Sequence, residues 1–146
     1  MIAYNVTQNR VVAEDLKIAK NVWERFRGLL GSSELKEGEG FLIPSCKGIH
    51  TFGMTYPIDV LYLDQESRVL ALLENYRPNL AGPVIWSTQS VLELPKGTIE
   101  RSNTRLGDFL LLENGPSNFL MKPIPIERPI LNSFSYVPLL NSFGCV

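Results

Sequence analysis

Apolar residues alternate along the first twenty positions of the chain. In IAYNV, Ile2, Tyr4 and Val6 are separated by small or polar partners, and in LKIAKN, Leu16 and Ile18 flank Lys17. A period of two is the signature of a half-buried strand. TQNR between the two segments supplies turn chemistry. The period then changes. In NVWERFRGLLG, residues Val22, Trp23, Phe26, Leu29 and Leu30 recur at helical spacing, as on one face of an amphipathic helix. Asn21 is a good N-cap, Glu24 three residues on completes a capping box, and Gly31 suits a left-handed C-terminal position. The pattern predicts a helix over Val22–Leu30 packed across the sheet, with Arg25 and Arg27 off its apolar stripe.

Short strands dominate the remainder of the first 113 residues. SSELKEGEG reads as a polar loop, FLIP as a short apolar strand closed by Pro44, and KGIHTFGM as extended chain. IDVLYLD is the clearest strand, with Ile58, Val60 and Tyr62 on one face and Asp59, Leu61 and Leu63 on the other. DQES is a hairpin turn, RVLALLEN its returning partner, and YRPNLAGP a loop. VIWSTQSVLELP gives two short strands or one bent one. KGTIERSN carries about two turns of weak helix, and in TRLGDFLLLE a Gly107-Asp108 turn precedes a final strand, with Asp108 capping backbone amides. These elements predict an α+β, mostly β domain over residues 1–113. Its sheet is expected to be antiparallel and curled towards a barrel or sandwich, with one amphipathic helix near the N-terminus and a short second helix. From Asn114 the texture shifts: residues 114–146 are apolar, carry five prolines and few charges. Proline forbids a long helix or a central strand there. The reading is an extension docked on the domain, or a tail that mediates a homodimer.

Composition removes several classes of function. At 146 residues, 45% hydrophobic and 20% charged, with a net charge of −1, the chain has no electrostatic footprint for nucleic acid or an anionic membrane. The N-terminal segment lacks the basic and apolar regions of a secretory signal, and no apolar run is long enough to span a bilayer. A cytoplasmic protein is expected, with Cys46 and Cys145 as reduced thiols.

Six motifs occur in order: RFRGLLG, EGEGFLI, IHTFGMTYPIDVLYLD, YRPN, VLELPKGTIE and LGDFLLL. Together, from about Val22 to Leu112, they resemble the family catalogued as domain of unknown function 192. The resemblance implies a small single domain, mostly β, with a helix near its start. It implies no activity, and it does not extend to the tail after Glu113.

Candidate chemistry centres on the stretch that holds the one histidine. Cys46, His50 and Asp59 could form a thiol–imidazole–carboxylate set only if their side chains converged. His50, Asp59 and Glu93 offer a carboxylate-assisted metal site, although zinc normally takes four ligands in closer pairs. No phosphate loop or hydrolase elbow is present, and no cofactor is expected. Tyr76 and Trp86 are the residues that could stack on a sugar. The strongest signal is polar residues set in apolar strands. Asp59 and Glu93 would cost several kcal/mol if buried without partners. The available cations are Arg25, Arg27, Arg77 and His50. The expectation is that His50, Asp59, Arg77 and Glu93 gather at one end of the sheet. Two readings stay open: a module that binds a small polar ligand in a cleft near His50, Arg77 and Glu93, with Asp59 and Arg27 beside it, or a structural or interaction protein held by a buried salt-bridge network. A hydrolase or metal-dependent enzyme is a third.

Overall fold

The computed structural model describes residues 1–113. Its elements run β1 (Ile2–Asn5), β2 (Arg10–Ala13), β3 (Asp15–Ile18), α1 (Val22–Arg27), β4 (Glu39–Pro44), β5 (Ile58–Leu63), β6 (Val69–Tyr76), β7 (Ser90–Pro95), α2 (Thr98–Ser102) and β8 (Leu110–Glu113). The α+β, mostly β character expected from the sequence is therefore present. The strands form two open sheets rather than a closed barrel: β2-β1-β8, and β3-β4-β7-β5-β6. The expected all-antiparallel arrangement has one exception, since β3 runs parallel to β4. The twenty residues between them, which include α1, provide the crossover that a parallel pair needs. β2 is not evident from alternation because its RVVA run is exposed over its first half and buried over its second. The expected docking or dimerisation of 114–146 lies outside the described residues.

Two apolar clusters sandwich the larger sheet. One joins it to the smaller sheet and α2 through Ala3, Val12, Leu16, Leu61, Leu92 and Ile99. The other covers the opposite face with Leu29, Ile49, Tyr56, Val60, Tyr62 and Val91. β5 is buried at all six positions, as a central strand covered on both faces must be. Its neighbour β7 sets the register: Asp59 stands opposite Leu94, and Val60 opposite Glu93. Directly opposed residues share a face. Asp59 therefore belongs to the first cluster and Glu93 to the second.

α1 departs from expectation in length and in placement. Asn21 caps it as predicted, its side chain accepting from the Glu24 amide at 2.9 Å, while the Glu24 carboxylate accepts from the Lys20 amide at 2.7 Å. The helix ends after Arg27, however, at Gly28 rather than near Gly31. No residue of α1 is buried: Val22, Trp23 and Phe26 are 70%, 81% and 55% exposed. The expected helix packed across the sheet is instead a short ramp that delivers Leu29 to the core and leaves its apolar stripe facing outward.

Candidate functional site

The site grows from the second face of the larger sheet, under the α1 turn and the 45–54 loop. Phe41 on β4, Glu93 on β7 and Val60 on β5 form a row across three strands. Glu93 is 2% exposed. Directly above it runs Gly28, with φ 50° and ψ −130°, a conformation that side chains resist. A Cβ there would stand 3.2 and 3.3 Å from the two Glu93 carboxyl oxygens. The Leu29 backbone N–H hydrogen-bonds the carboxyl group, while Oε2 has no partner among the described residues. Burial pushes Glu93 up to about 8, against the lowering effect of the Leu29 bond. The group is thus a neutral acid near neutral pH.

Its neighbours are held neutral as well. Burial raises the Cys46 thiol, and nearby Glu93 adds to the effect; the thiol donates to the Gly48 carbonyl at 2.8 Å. Burial also raises Tyr62, which donates to the Pro83 carbonyl at 3.1 Å. A raised thiol is a poor nucleophile, so nothing here activates the Cys46, His50 and Asp59 set.

His50 lies at the rim of this face. It bridges to Ala81, and its neighbour Thr51, fully buried, donates from Oγ1 to the Arg77 carbonyl at 2.7 Å. The structure therefore brings the His50 and Arg77 loops together through the Thr51 hydroxyl, with the Arg77 residue itself exposed. The His50 ring sits between two phenylalanines: Phe26 at 5.9 Å edge-on, and Phe52 at 5.5 Å stacked. Phe52 is 52% exposed. The His50 Nδ1 is buried without a hydrogen-bond partner among the described residues. Phe26 and Phe52 thus make an outward aromatic face around His50, and Trp23 is exposed on the same helix three residues before Phe26. Arg25 and Arg27 stand beside it, bonded to the carbonyls of Ser45 at 3.2 Å and Leu30 at 2.7 Å.

Asp59 does not join this group. It lies on the opposite face, where its two oxygens accept from the Asn75 amide at 2.8 Å and the Ile99 amide at 2.9 Å. The second of these bonds satisfies an otherwise orphaned amide in the first turn of α2. The predicted gathering of His50, Asp59, Arg77 and Glu93 is thereby corrected in one respect: Asp59 and Glu93 lie on opposite faces of the sheet. The buried salt-bridge network is corrected too. The ion pairs among the described residues are Lys17–Glu39 at 3.9 Å, at the β3–β4 edge, and Arg101–Glu37 at 3.2 Å, and neither includes His50, Asp59, Arg77 or Glu93. No group of three or more metal-ligating side chains occurs among the described residues. A cleft of about 260 Å³ does exist, but it is lined by Arg10, Glu14, Glu37, Thr98 and Arg101, beside α2.

Trp23, Phe26 and Phe52 are the site residues that sequence reasoning missed. Helical spacing predicts a core stripe at Trp23 and Phe26, and spacing carries no mark of whether anything covers it.

The family model of DUF192, described as an uncharacterized ACR, matches residues 4–112, and the chain belongs to that family. A UPF0127 protein of Thermococcus sibiricus is 32% identical over 146 residues, covering 97% of this chain and 90% of that one. A UPF0127 protein of Thermococcus kodakarensis is 27% identical, covering 97% and 91%. Among solved structures, a protein of unknown function from Novosphingobium aromaticivorans aligns with a TM-score of 0.66 at 22% identity, over 76% of this chain and 83% of that one. A protein of Sinorhizobium meliloti named as a candidate transcription regulator aligns with a TM-score of 0.60 at 21% identity, over 75% and 89%. At these identities the two structures share the fold.

Proposed function

We propose that this protein is a binding module whose working surface is the aromatic face formed by Trp23, Phe26, His50 and Phe52. The observation that carries the reading is the outward stack itself: a histidine between two phenylalanines that are each more than half exposed, with a tryptophan 81% exposed on the same helix. Each large side chain left in water forgoes about 1.5–3 kcal/mol of burial. Contiguous apolar surface of this kind marks interaction sites, and tryptophan and arginine are the residues that dominate binding energy at interfaces. Arg25 and Arg27 engage backbone carbonyls rather than carboxylates, so their charge is available to a partner. The occupant that fits is a polypeptide segment with apolar anchors and acidic flanks. A nucleic-acid role, which the name of the Sinorhizobium protein would suggest, has no support in a chain of net charge −1.

A second reading, a small polar ligand taken up beside His50 and Arg77 with Glu93 behind them, is favoured by the partnerless Nδ1 of His50 and Oε2 of Glu93 among the described residues. Glu93 is sealed from solvent, so this reading requires the covering turn to move.

One titration separates the two. Two short synthetic peptides share the same leucines and phenylalanines, one carrying glutamates and the other lysines between them. NMR amide shifts on the glutamate peptide should map to Trp23, Phe26, His50 and Phe52, with the lysine peptide about tenfold weaker or worse. A Trp23→Ala/Phe26→Ala double variant should bind neither. Equal binding by that variant, or shifts mapping elsewhere, would overturn the first reading. Shifts confined to His50 and Arg77 on addition of small polar metabolites would establish the second.

A further inference from the structure

We propose that Glu93 is a protonation-controlled latch on the α1 turn, closed as the neutral acid and opened by its ionisation, and that it governs the order of the aromatic face. The inference concerns the shape of that face and does not depend on what the face binds.

The latch is visible in three contacts. Glu93 is fixed in the middle of β7, between Phe41 and Val60. Its carboxyl group receives the Leu29 N–H, the first amide after the Gly28 reversal. The absent side chain of Gly28 leaves the room in which the carboxyl oxygens sit. These contacts and the burial of Leu29 hold the end of α1 to the sheet, since no residue of α1 itself is buried.

Among the described residues, no cation meets Glu93 from any element packed against it. On α1, Glu24 is engaged in the N-cap, Arg25 in the Ser45 carbonyl and Arg27 in the Leu30 carbonyl. From the 45–54 loop, Cys46 bonds the Gly48 carbonyl, Lys47 bonds the Thr88 carbonyl, and His50 is held between rings. From β5 comes Tyr62, bonded to Pro83, and beyond it Tyr76 on β6, bonded to Ala81. An ionised Glu93 would leave Oε2 as an unpaired charge in an apolar cluster, which proteins relieve by moving the group towards water. The least costly route is to lift the turn above it, because a segment with few buried contacts opens before the sheet does. Trp23 and Phe26 travel with that turn, and Phe26 leaves His50.

The fluorescence of Trp23 reads the motion. In a Trp86→Phe background the emission should change in one transition centred at or below pH 8, the value to which burial raises the Glu93 acid in the closed form. Far-ultraviolet dichroism should stay constant across it. Glu93→Gln should abolish the transition, and Cys46→Ser should leave it in place. Persistence in Glu93→Gln, loss in Cys46→Ser, or no transition in the parent overturns the latch. Should Glu93→Gln fail to fold, hydrogen exchange at the Leu29 amide of the unaltered chain decides. Its protection should fall about tenfold per pH unit up to that range, as expected for opening linked to one proton. Protection independent of pH overturns the proposal equally.

Discussion

Asp59 and Glu93 are two carboxyl groups on adjacent strands of one sheet, 1% and 2% exposed, and they meet burial in opposite ways. Asp59 faces the core shared by the two sheets, where two backbone amides, from Asn75 and Ile99, donate to its two oxygens. Glu93 faces the other core, with one amide on one oxygen and, among the described residues, none on the other. Depth of burial is the same; the supply of donors is not. A buried carboxylate is therefore not a charge looking for a cation but a set of lone pairs looking for N–H groups. Asp59 finds them and ties β5 to both the end of β6 and the start of α2. Glu93 finds half of them and is held neutral.

The largest effect that should distinguish the two is the pH dependence of stability. Glu93 has its folded pKa raised to about 8 from 4.5. Below the lower value both folded and unfolded chains hold the proton. Between the two values the unfolded chain releases it and the folded chain does not, so stability falls as pH rises and levels off above about 8. The loss attributable to Glu93 should reach roughly 4–5 kcal/mol. Urea denaturation from pH 4 to pH 9 should show that decline in the parent and not in Glu93→Gln. A parent curve as flat as that of Glu93→Gln would erase the contrast.

Removal of Asp59 should come next in size. Asp59→Ala leaves the Asn75 and Ile99 amides without their acceptor, at about 1–3 kcal/mol for each buried group. A total loss of about 2–4 kcal/mol is expected by chemical denaturation at neutral pH, with reduced protection of the Ile99 amide. If Asp59→Ala costs less than half a kcal/mol, the amides have found water and the bracing role is lost.

The smallest effect belongs to the aromatic face. Trp23 and Phe26 are mostly exposed, so Trp23→Ala and Phe26→Ala should each shift stability by no more than about 0.5 kcal/mol. A loss of several kcal/mol in thermal unfolding would mean that these rings are covered in solution, and the face would be core after all.

What the chain makes legible is alternation within a strand; what it hides is register between strands. The pattern in IDVLYLD assigns Asp59 to the Leu61 and Leu63 face, and the pattern in SVLELP places Glu93 with Val91, both as found. Nothing in either segment says that Val60 stands opposite Glu93, yet that single pairing puts the two carboxyl groups on opposite sides. Arg25, Arg27, Arg77 and His50 are not their partners for a related reason. The partners are backbone amides, which every residue but proline carries, and which therefore leave no trace in residue type. The hairpin of β5 and β6, the capping of α1 by Asn21 and the short α2 are readable because each is local. The outward aim of Trp23 and Phe26 is not, because a periodic stripe records only that residues share a face.

The strand order β3-β4-β7-β5-β6 has a consequence for how the chain is made. Its middle strand, β7, is the last of the five to be synthesised. Until residues 90–95 emerge, β4 and the β5–β6 hairpin have no common edge and remain two separate ribbons. The smaller sheet waits longer still, because β1 pairs with β8, joining the first strand among the described residues to the last of them. A growing polypeptide of this sequence thus carries unfinished sheet edges through most of its translation, and it acquires its centre and its closure almost together, within the final stretch of the domain.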